Sequence, residues 1–391
     1  MDRNEEANQA KKATQAIFLV CGLGISSWAP MVPYAKDRLE FNNADLGLLL
    51  LTLGAGAIAA MPFSGLMAQR FGTRAVMKYS ALMMALVLPL LLMISSPLWM
   101  GVALFVFGSS VGVVDVAMNS HGVQVQNSLG KPIMSSLHGL FSVGGLIGSL
   151  GLGFLMKAGL SPLTAALSIA FLLVLIVFLN YKQLFNLQKE NELISQFSPD
   201  TLPGVKKGVS WLRGSVLFLG FMCFSVFLSE GAMLDWSAVF LRDNKGINPE
   251  FAGFGYAAFS VAMATMRLFG DKIVSHFSGR IVVISGAILA AGGIILAVFT
   301  PGLSGSLLGF VLLGIGAANI VPVFFSEGGR IKEVPATVAI PVITTIGYAG
   351  QLAGPAILGF VAFHFSLNAA FLLIAALLLL VALAYMLKPK T

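Results

Sequence analysis

Apolar runs separated by short polar breaks repeat from Ala16 almost to the C-terminus. A run of roughly twenty such residues, rising about 1.5 Å each as a helix, crosses the roughly 30 Å hydrocarbon core of a bilayer. Ile281–Val298 and Ala369–Leu387 carry no charged side chain at all. Reading the runs between turn signals predicts spans at 16–36, 45–69, 75–95, 98–126, 134–157, 161–181, 211–240, 251–275, 281–300, 303–327, 336–362 and 366–387. Breaks as short as Ser95-Ser96-Pro97 and Thr300-Pro301-Gly302 make the flanking helices antiparallel neighbours.

Composition changes the solvent of the problem. Of the 391 residues 57% are hydrophobic and 10% charged, whereas a soluble domain carries about a quarter charged residues, so lipid surrounds this chain. Cys21 and Cys223 both sit in apolar runs and form neither a disulfide framework nor a metal spacing. The polar stretch Met1–Gln15 holds no short apolar region ending in a cleavage site, so the first apolar run is read as a retained span. A net charge of +7 would suggest nucleic acid in a soluble chain, but the basic residues lie in short loops between spans, so no nucleic-acid partner is expected. With the N-terminus inside, 18 Lys and Arg residues fall on the cytoplasmic side and 5 outside, with Arg267 within a span. This bias places both termini in the cytoplasm and requires an even number of spans. A multi-pass protein of a bacterial inner membrane is the expected location.

Self-comparison at an offset of 206 residues aligns Gly47 with Gly253, Phe71 with Phe277, Arg74 with Arg280, and Gly108 with Gly314. The match continues through Gly144 and Gly350, Gly148 and Gly354, Gly153 and Gly359, and Phe154 and Phe360. The chain therefore reads as a duplicated six-helix unit: an N-terminal bundle over 1–181, a polar cytoplasmic linker over 182–210 and a C-terminal bundle over 211–391. An even number of spans per copy inserts both copies the same way up. The expected fold is an all-α integral membrane protein of twelve transmembrane helices in two six-helix bundles, related by a pseudo-two-fold along the membrane normal.

The loop between the second and third spans reads Gly65-Leu66-Met67-Ala68-Gln69-Arg70-Phe71-Gly72-Thr73-Arg74. It resembles the signature Gly-x-x-x-Asp-Arg-x-Gly-Arg-Arg of the major facilitator superfamily, keeping Gly65, Arg70, Gly72 and Arg74 and placing Gln69 where that signature has aspartate. Arg267-Leu268-Phe269-Gly270-Asp271 through Gly279-Arg280 is similar to the second copy of the motif. The resemblance covers nearly the whole chain and implies alternating access by a single chain, with spans one, four, seven and ten lining a central cavity.

Charges inside lipid are costly, so each one points to a role. Asp115 falls near the middle of span four, and the steps Gly108, Gly112, Asp115, Asn119 and Gly122 collect on one small, polar helix face. That face either packs against a neighbour or presents a protonatable carboxylate. Asp115-x-x-x-Asn119 resembles the acidic-x-x-x-Asn element of the fucose–proton symporters, where the acid carries the proton; the first span here, Ala16–Ala35, has no acid. Glu230, in span seven, is the second proton-coupling candidate, with Asp235 nearer the outer interface. Arg267 and Asp271, four residues apart, suit an intrahelical pair with a structural or gating role. His121 and Glu327 align at the 206 offset at the cytoplasmic ends of spans four and ten, as an inner-gate latch or as snorkelling side chains. His138, early in span five, suits a proton relay or a packed hydrogen-bonding role.

Trp28, Asn119, Asn319, Tyr348 and Gln351 supply amide, hydroxyl and indole groups for a cavity that suits a polyhydroxyl solute, while Tyr34 reads as an interface anchor. Pro30, Pro33, Pro322, Pro341 and Pro355 mark helices able to kink. Gly144-Gly145-Leu146-Ile147-Gly148-Ser149 resembles the antiporter signature of the superfamily, with Ser149 in place of its proline. There is no Gly-Lys-Ser/Thr phosphate loop and no metal spacing, so the chain is not expected to be an enzyme or to hold a cofactor or metal. The expected function is secondary transport of a small polar solute, sugar-like and proton-coupled. Two alternatives stand beside it: proton-coupled efflux of hydrophobic compounds through a pocket drawn from the 17 Met and 30 Phe, and a non-transporting sensor of the same fold.

Overall fold

The computed structural model describes residues 3–28, 31–40, 43–197, 213–247, 254–331 and 334–388. Pro30, Gly253, Lys206, Lys207, Lys332, Lys390, the second part of the expected linker and the first residues of the expected eighth span lie outside them. Among the described residues the regular structure is helical throughout. We label the twelve long helices α1 (Arg3–Ser26), α2 (Asn43–Phe71), α3 (Thr73–Leu90), α4 (Pro97–Leu129), α5 (Met134–Lys157), α6 (Pro162–Asn180), α7 (Gly214–Val239), α8 (Phe254–Phe277), α9 (Gly279–Phe299), α10 (Gly302–Gly328), α11 (Ala336–His364) and α12 (Leu367–Leu387). Ten of them are long and apolar enough to cross a membrane by length and composition. The other two are α1, whose first half is polar, and α8, which carries Arg267, Asp271 and Lys272.

Several expected boundaries move, each for a local reason. The polar N-terminus is helical from Arg3, because Ala7, Ala10 and Ala13 form a buried stripe at helical spacing. The first span ends at Ser26 rather than near residue 36, and a separate short helix, Val32–Arg38, follows with Pro33 in its first turn. The tenth span is broken at Ala318-Asn319, between Gly302–Ala317 and Ile320–Gly328, with Pro322 in the opening turn of the second piece. The expected linker is not featureless: Leu187–Phe197 is an amphipathic helix with Glu190 and Leu193 buried.

The chain divides into two compact units. The first comprises Met1–Lys131, Leu140–Trp211 and Gly329–Pro341, and the second Pro132–Gly139, Leu212–Gly328 and Val342–Thr391. The start of α5 thus belongs to the second unit, and the start of α11 to the first.

Each unit repeats the same neighbour pattern. In the first, α4 packs on α1, α2 and α3, and α3 on α6; in the second, α10 packs on α7, α8 and α9, and α9 on α12. The tightest seams coincide at the 206 offset. A Cβ on Gly108 would stand 1.9 Å from Leu53 O, and one on Gly314 2.5 Å from Phe259 O, both too close for any side chain. The N-cap residues of α3 and α9 share an unusual backbone as well, Gly72 at φ +80° and Ser278 at φ +66°. Basic side chains close the opposite ends of these two helices. Arg38 donates to Leu91 O, Leu92 O and Ile94 O just past α3, and Lys245 donates to Val298 O in the last turn of α9 and to Thr300 O just past it. A cation at a helix C-terminus meets the negative end of its dipole and satisfies carbonyls that have no intrahelical donor. Leu92 and Ile94 are the 206-offset counterparts of Val298 and Thr300.

Candidate functional site

In the first unit the intramembrane acid lies in the middle of α4. Asp115 is 5% exposed, and Asn119, one turn on and fully buried, donates from Nδ2 to its main-chain oxygen at 2.9 Å and to Oδ1 at 3.4 Å. The small-residue stripe on this helix is divided in purpose. Gly108 and Gly112 fit against Leu53 O and Ala57 O of α2, and Ser109 donates to Gly56 O, so these positions are a helix–helix seam. Gly108-Ser109-Ser110-Val111-Gly112 has the letters of a nucleophile elbow, but Ser110 lies inside α4 and donates to Val106 O, without the strand-to-helix turn that exposes such a serine. Trp28, just past α1, is buried, and neither its Nε1 nor the Oδ1 of Asn119 has a hydrogen-bond partner among the described residues. Tyr34 is exposed and donates to Met156 Sδ at 3.6 Å.

His121 is fully buried at the next functional level of α4. Its Nε2 accepts the Phe185 N–H at 3.4 Å, so Nδ1 carries the proton and donates to Thr73 Oγ1 at 2.7 Å. The Thr73 hydroxyl in turn donates to Glu190 of the linker helix, whose two oxygens also accept the Thr73 N–H at 3.2 and 3.0 Å. Glu190 therefore caps the N-terminus of α3 from another helix, with the dipole favouring its charge. A second tie, Lys189 to Glu6 of α1 at 3.1 Å, fixes the other side of the linker helix. Removing the Glu190 carboxylate with Glu190→Ala strips the cap and leaves Thr73 donors buried and unmet, a loss of about 2–4 kcal/mol. Thermal unfolding in detergent should show a clear drop for that variant and almost none for Lys189→Ala.

The second unit holds the other candidates. Arg267, in the middle of α8, reaches across to Glu230 of α7, Nη2 to Oε1 at 2.9 Å, and its Nε donates to Ala318 O at the break in α10. This ion pair joins two helices. Asp271 accepts the Ser136 N–H at 3.1 Å at the start of α5. His138, two residues on, stacks on Phe325 with ring centroids 5.6 Å apart. Asn319 sits in the α10 break with Nδ2 donating to Met266 O and Oδ1 buried without a hydrogen-bond partner among the described residues. On α11, Tyr348 packs on Phe227 of α7, and Gln351 lies against Gly231, beside Glu230. Asp235 is exposed towards the end of α7.

Glu327, counterpart of His121, accepts from Tyr385 at 3.0 Å and pairs with Lys388 at the end of α12. His121 and Glu327 thus each tie span four or span ten to other helices of their own unit. Sequence reading missed Thr73, Glu190, Tyr385 and Lys388 as their partners. For Glu190 a signal existed: it is a lone charge on the apolar stripe of Leu187, Leu193 and Ile194.

Residues 16–328 match the family model described as Major Facilitator Superfamily. The chain belongs to the major facilitator superfamily. An uncharacterised MFS-type transporter of Yersinia pestis is 43% identical over 370 residues, covering 95% of this chain and 93% of that protein. Membrane protein MosC of Rhizobium meliloti is 31% identical over 378 residues, covering 94% and 87%. Among solved structures, the E. coli fucose:proton symporter FucP superposes with a TM-score of 0.73 at 15% identity, covering 97% of this chain and 98% of that one. This likeness shows the fold: twelve spans in two domains.

The geometry of the superfamily loop explains its residues here. A Cβ on Gly65 would stand 2.5 Å from Thr337 O and 2.7 Å from Pro341, so this glycine lets the start of α11 approach α2. Gly72 takes a positive φ that glycine adopts without strain, and packs on Leu187 of the linker helix. Arg70 is exposed over the Phe71 ring, Arg74 lies over Tyr181, and Arg280 donates to Met386 O. Gln69 faces a cavity of about 260 Å³ that Glu190 also lines.

Proposed function

We propose that this superfamily transporter takes up a small neutral or weakly cationic polar solute, sugar-like in its hydroxyl content, together with protons. The observation that carries the reading is Asp115: a buried carboxylate in the middle of a span, where an acid is expensive unless it does something. A carboxyl in such a site can load a proton from one side and release it to the other as access alternates. Glu230 ranks second, because its carboxylate is already engaged in an ion pair with Arg267. The fold neighbour FucP is described as a fucose:proton symporter, which supports the same class of coupling without assigning the substrate.

The indole N–H of Trp28 and the amide oxygen of Asn119 in the first unit, and the amide oxygen of Asn319 in the second, lack hydrogen-bond partners among the described residues, and hydroxyl groups, which both donate and accept, would satisfy each of them. In the second unit Tyr348 and Gln351 of α11 supply a further hydroxyl and amide. In this reading both termini are cytoplasmic, in a bacterial inner membrane; residues 1–181 and 211–391 are the two moving bundles joined by 182–210, and one chain is the working unit.

A thermal-shift screen of the purified protein against sugars, polyols, amino acids and lipophilic cations tests the substrate class. Ligand that binds the folded state stabilises it, by about 2.7 kcal/mol at a hundred times its Kd. Sugars or polyols should raise the melting temperature in a saturable way. Stabilisation by lipophilic cations alone would replace this reading with efflux of hydrophobic compounds.

A further inference from the structure

We propose that the junction of α3 and α6 is a binding site for the phosphate of an acidic phospholipid. Arg74 and Lys78 lie one helical turn apart at the start of α3, and both are held over the ring of Tyr181, the residue that follows α6. Arg74 Cζ is 5.3 Å from the ring centroid and Lys78 Nζ 4.6 Å, with Lys78 also 5.7 Å from Phe178 and 5.2 Å from Tyr79. Neither cation makes an ion pair or a hydrogen bond among the described residues. The acid that sits beside Thr73, Glu190, is engaged by Thr73 and His121. Two positive charges on one tyrosine, with no counter-ion among the described residues, form a site for an external anion.

Three further observations choose a lipid as its source. Tyr79 and Phe178 are large, exposed aromatics on the same helices, which gives acyl chains an apolar wall directly below the charges. The cluster sits at the ends of two spans, the depth of headgroups rather than of the bilayer core. The two halves also differ here: Arg280, counterpart of Arg74, is occupied as a cap on Met386 O at 2.8 Å, and Ile284 stands at the position of Lys78. The first half therefore keeps two uncommitted cations where the second keeps none. Lys182, exposed and adjacent to Tyr181, adds charge of the same sign. The site is independent of the transported solute.

The test is native mass spectrometry and thermal unfolding of the full-length protein, titrated separately with phosphatidylglycerol, phosphatidylcholine and inorganic phosphate. Phosphatidylglycerol should bind and raise the melting temperature, and Arg74→Gln with Lys78→Gln should weaken it about 30-fold, roughly fivefold per cation. Arg74→Lys with Lys78→Arg, which keeps both charges, should retain binding, and Arg280→Gln should leave it unchanged. Should the double variant fail to fold, Lys78→Gln alone should show the fivefold loss. Equal binding by wild type and the Gln variants, an equal response to phosphatidylcholine, or stabilisation by inorganic phosphate that matches the lipid would each overturn the proposal.

Discussion

Asp115→Asn is expected to abolish accumulation of solute against its gradient while leaving counterflow exchange largely intact. The substitution keeps the size of the side chain and its bond with Asn119, so the surroundings of α4 stay packed. It removes the one property the mechanism needs, a carboxyl that alternates between protonated and charged. A proton crossing 100 mV supplies about 2.3 kcal/mol, enough to hold roughly a 50-fold gradient of a neutral solute. Without that coupling the carrier can still exchange solute for solute, because exchange cycles only the loaded form. Proteoliposomes carrying each form, assayed for both proton-driven uptake and counterflow, separate the two activities. Undiminished accumulation by the variant would remove Asp115 from the coupling step and move attention to Glu230.

The Arg267–Glu230 pair should show a pronounced asymmetry between its two single deletions. The side chains are 8% and 17% exposed, so breaking the pair leaves a charge with little water to receive it, a cost of about 3–5 kcal/mol. Glu230 stranded by Arg267→Met can take up a proton and become neutral; Arg267 stranded by Glu230→Leu cannot lose its charge. Glu230→Leu should therefore lower the melting temperature more than Arg267→Met, and the damage from Arg267→Met should shrink at acid pH. The double substitution Arg267→Met with Glu230→Leu should recover most of the wild-type stability, since an apolar pair of similar volume replaces a buried ion pair at little cost. If the double variant is as unstable as the worse single one, the two side chains do not act as a pair.

Helix number and fold were legible in the sequence because lipid enforces a length and a composition on every span, and no packing detail is needed to see them. The 206-residue repeat was legible too, and it reaches further than matched letters: the Gly108 and Gly314 seams and the caps on Leu92, Ile94, Val298 and Thr300 obey it. What stayed hidden depends on tertiary contact. The helical spacing of Arg267 and Asp271 points to a local pair and gives no sign that packing of α8 on α7 delivers Glu230 to the same guanidinium. The stripe through Gly108, Gly112, Asp115 and Asn119 looked uniform, and only the position of α2 reveals that its glycines serve a seam. His121 and Glu327 were paired by alignment, but their partners come from a linker helix in one case and from α12 in the other. Glu190 was legible only as a lone charge on a short apolar stripe, and its partner, the N-terminus of α3, is brought to it by tertiary packing.

Solute-driven proton movement in wild-type proteoliposomes tests proton coupling most directly. A pH-sensitive dye is trapped inside, no gradient is imposed, and a solute that stabilises the purified protein is added outside while its labelled form reports entry. Uptake should acidify the lumen, at a rate that saturates with solute concentration, and a protonophore should collapse the signal. Entry of the labelled solute with no change in lumenal pH would contradict proton-coupled uptake.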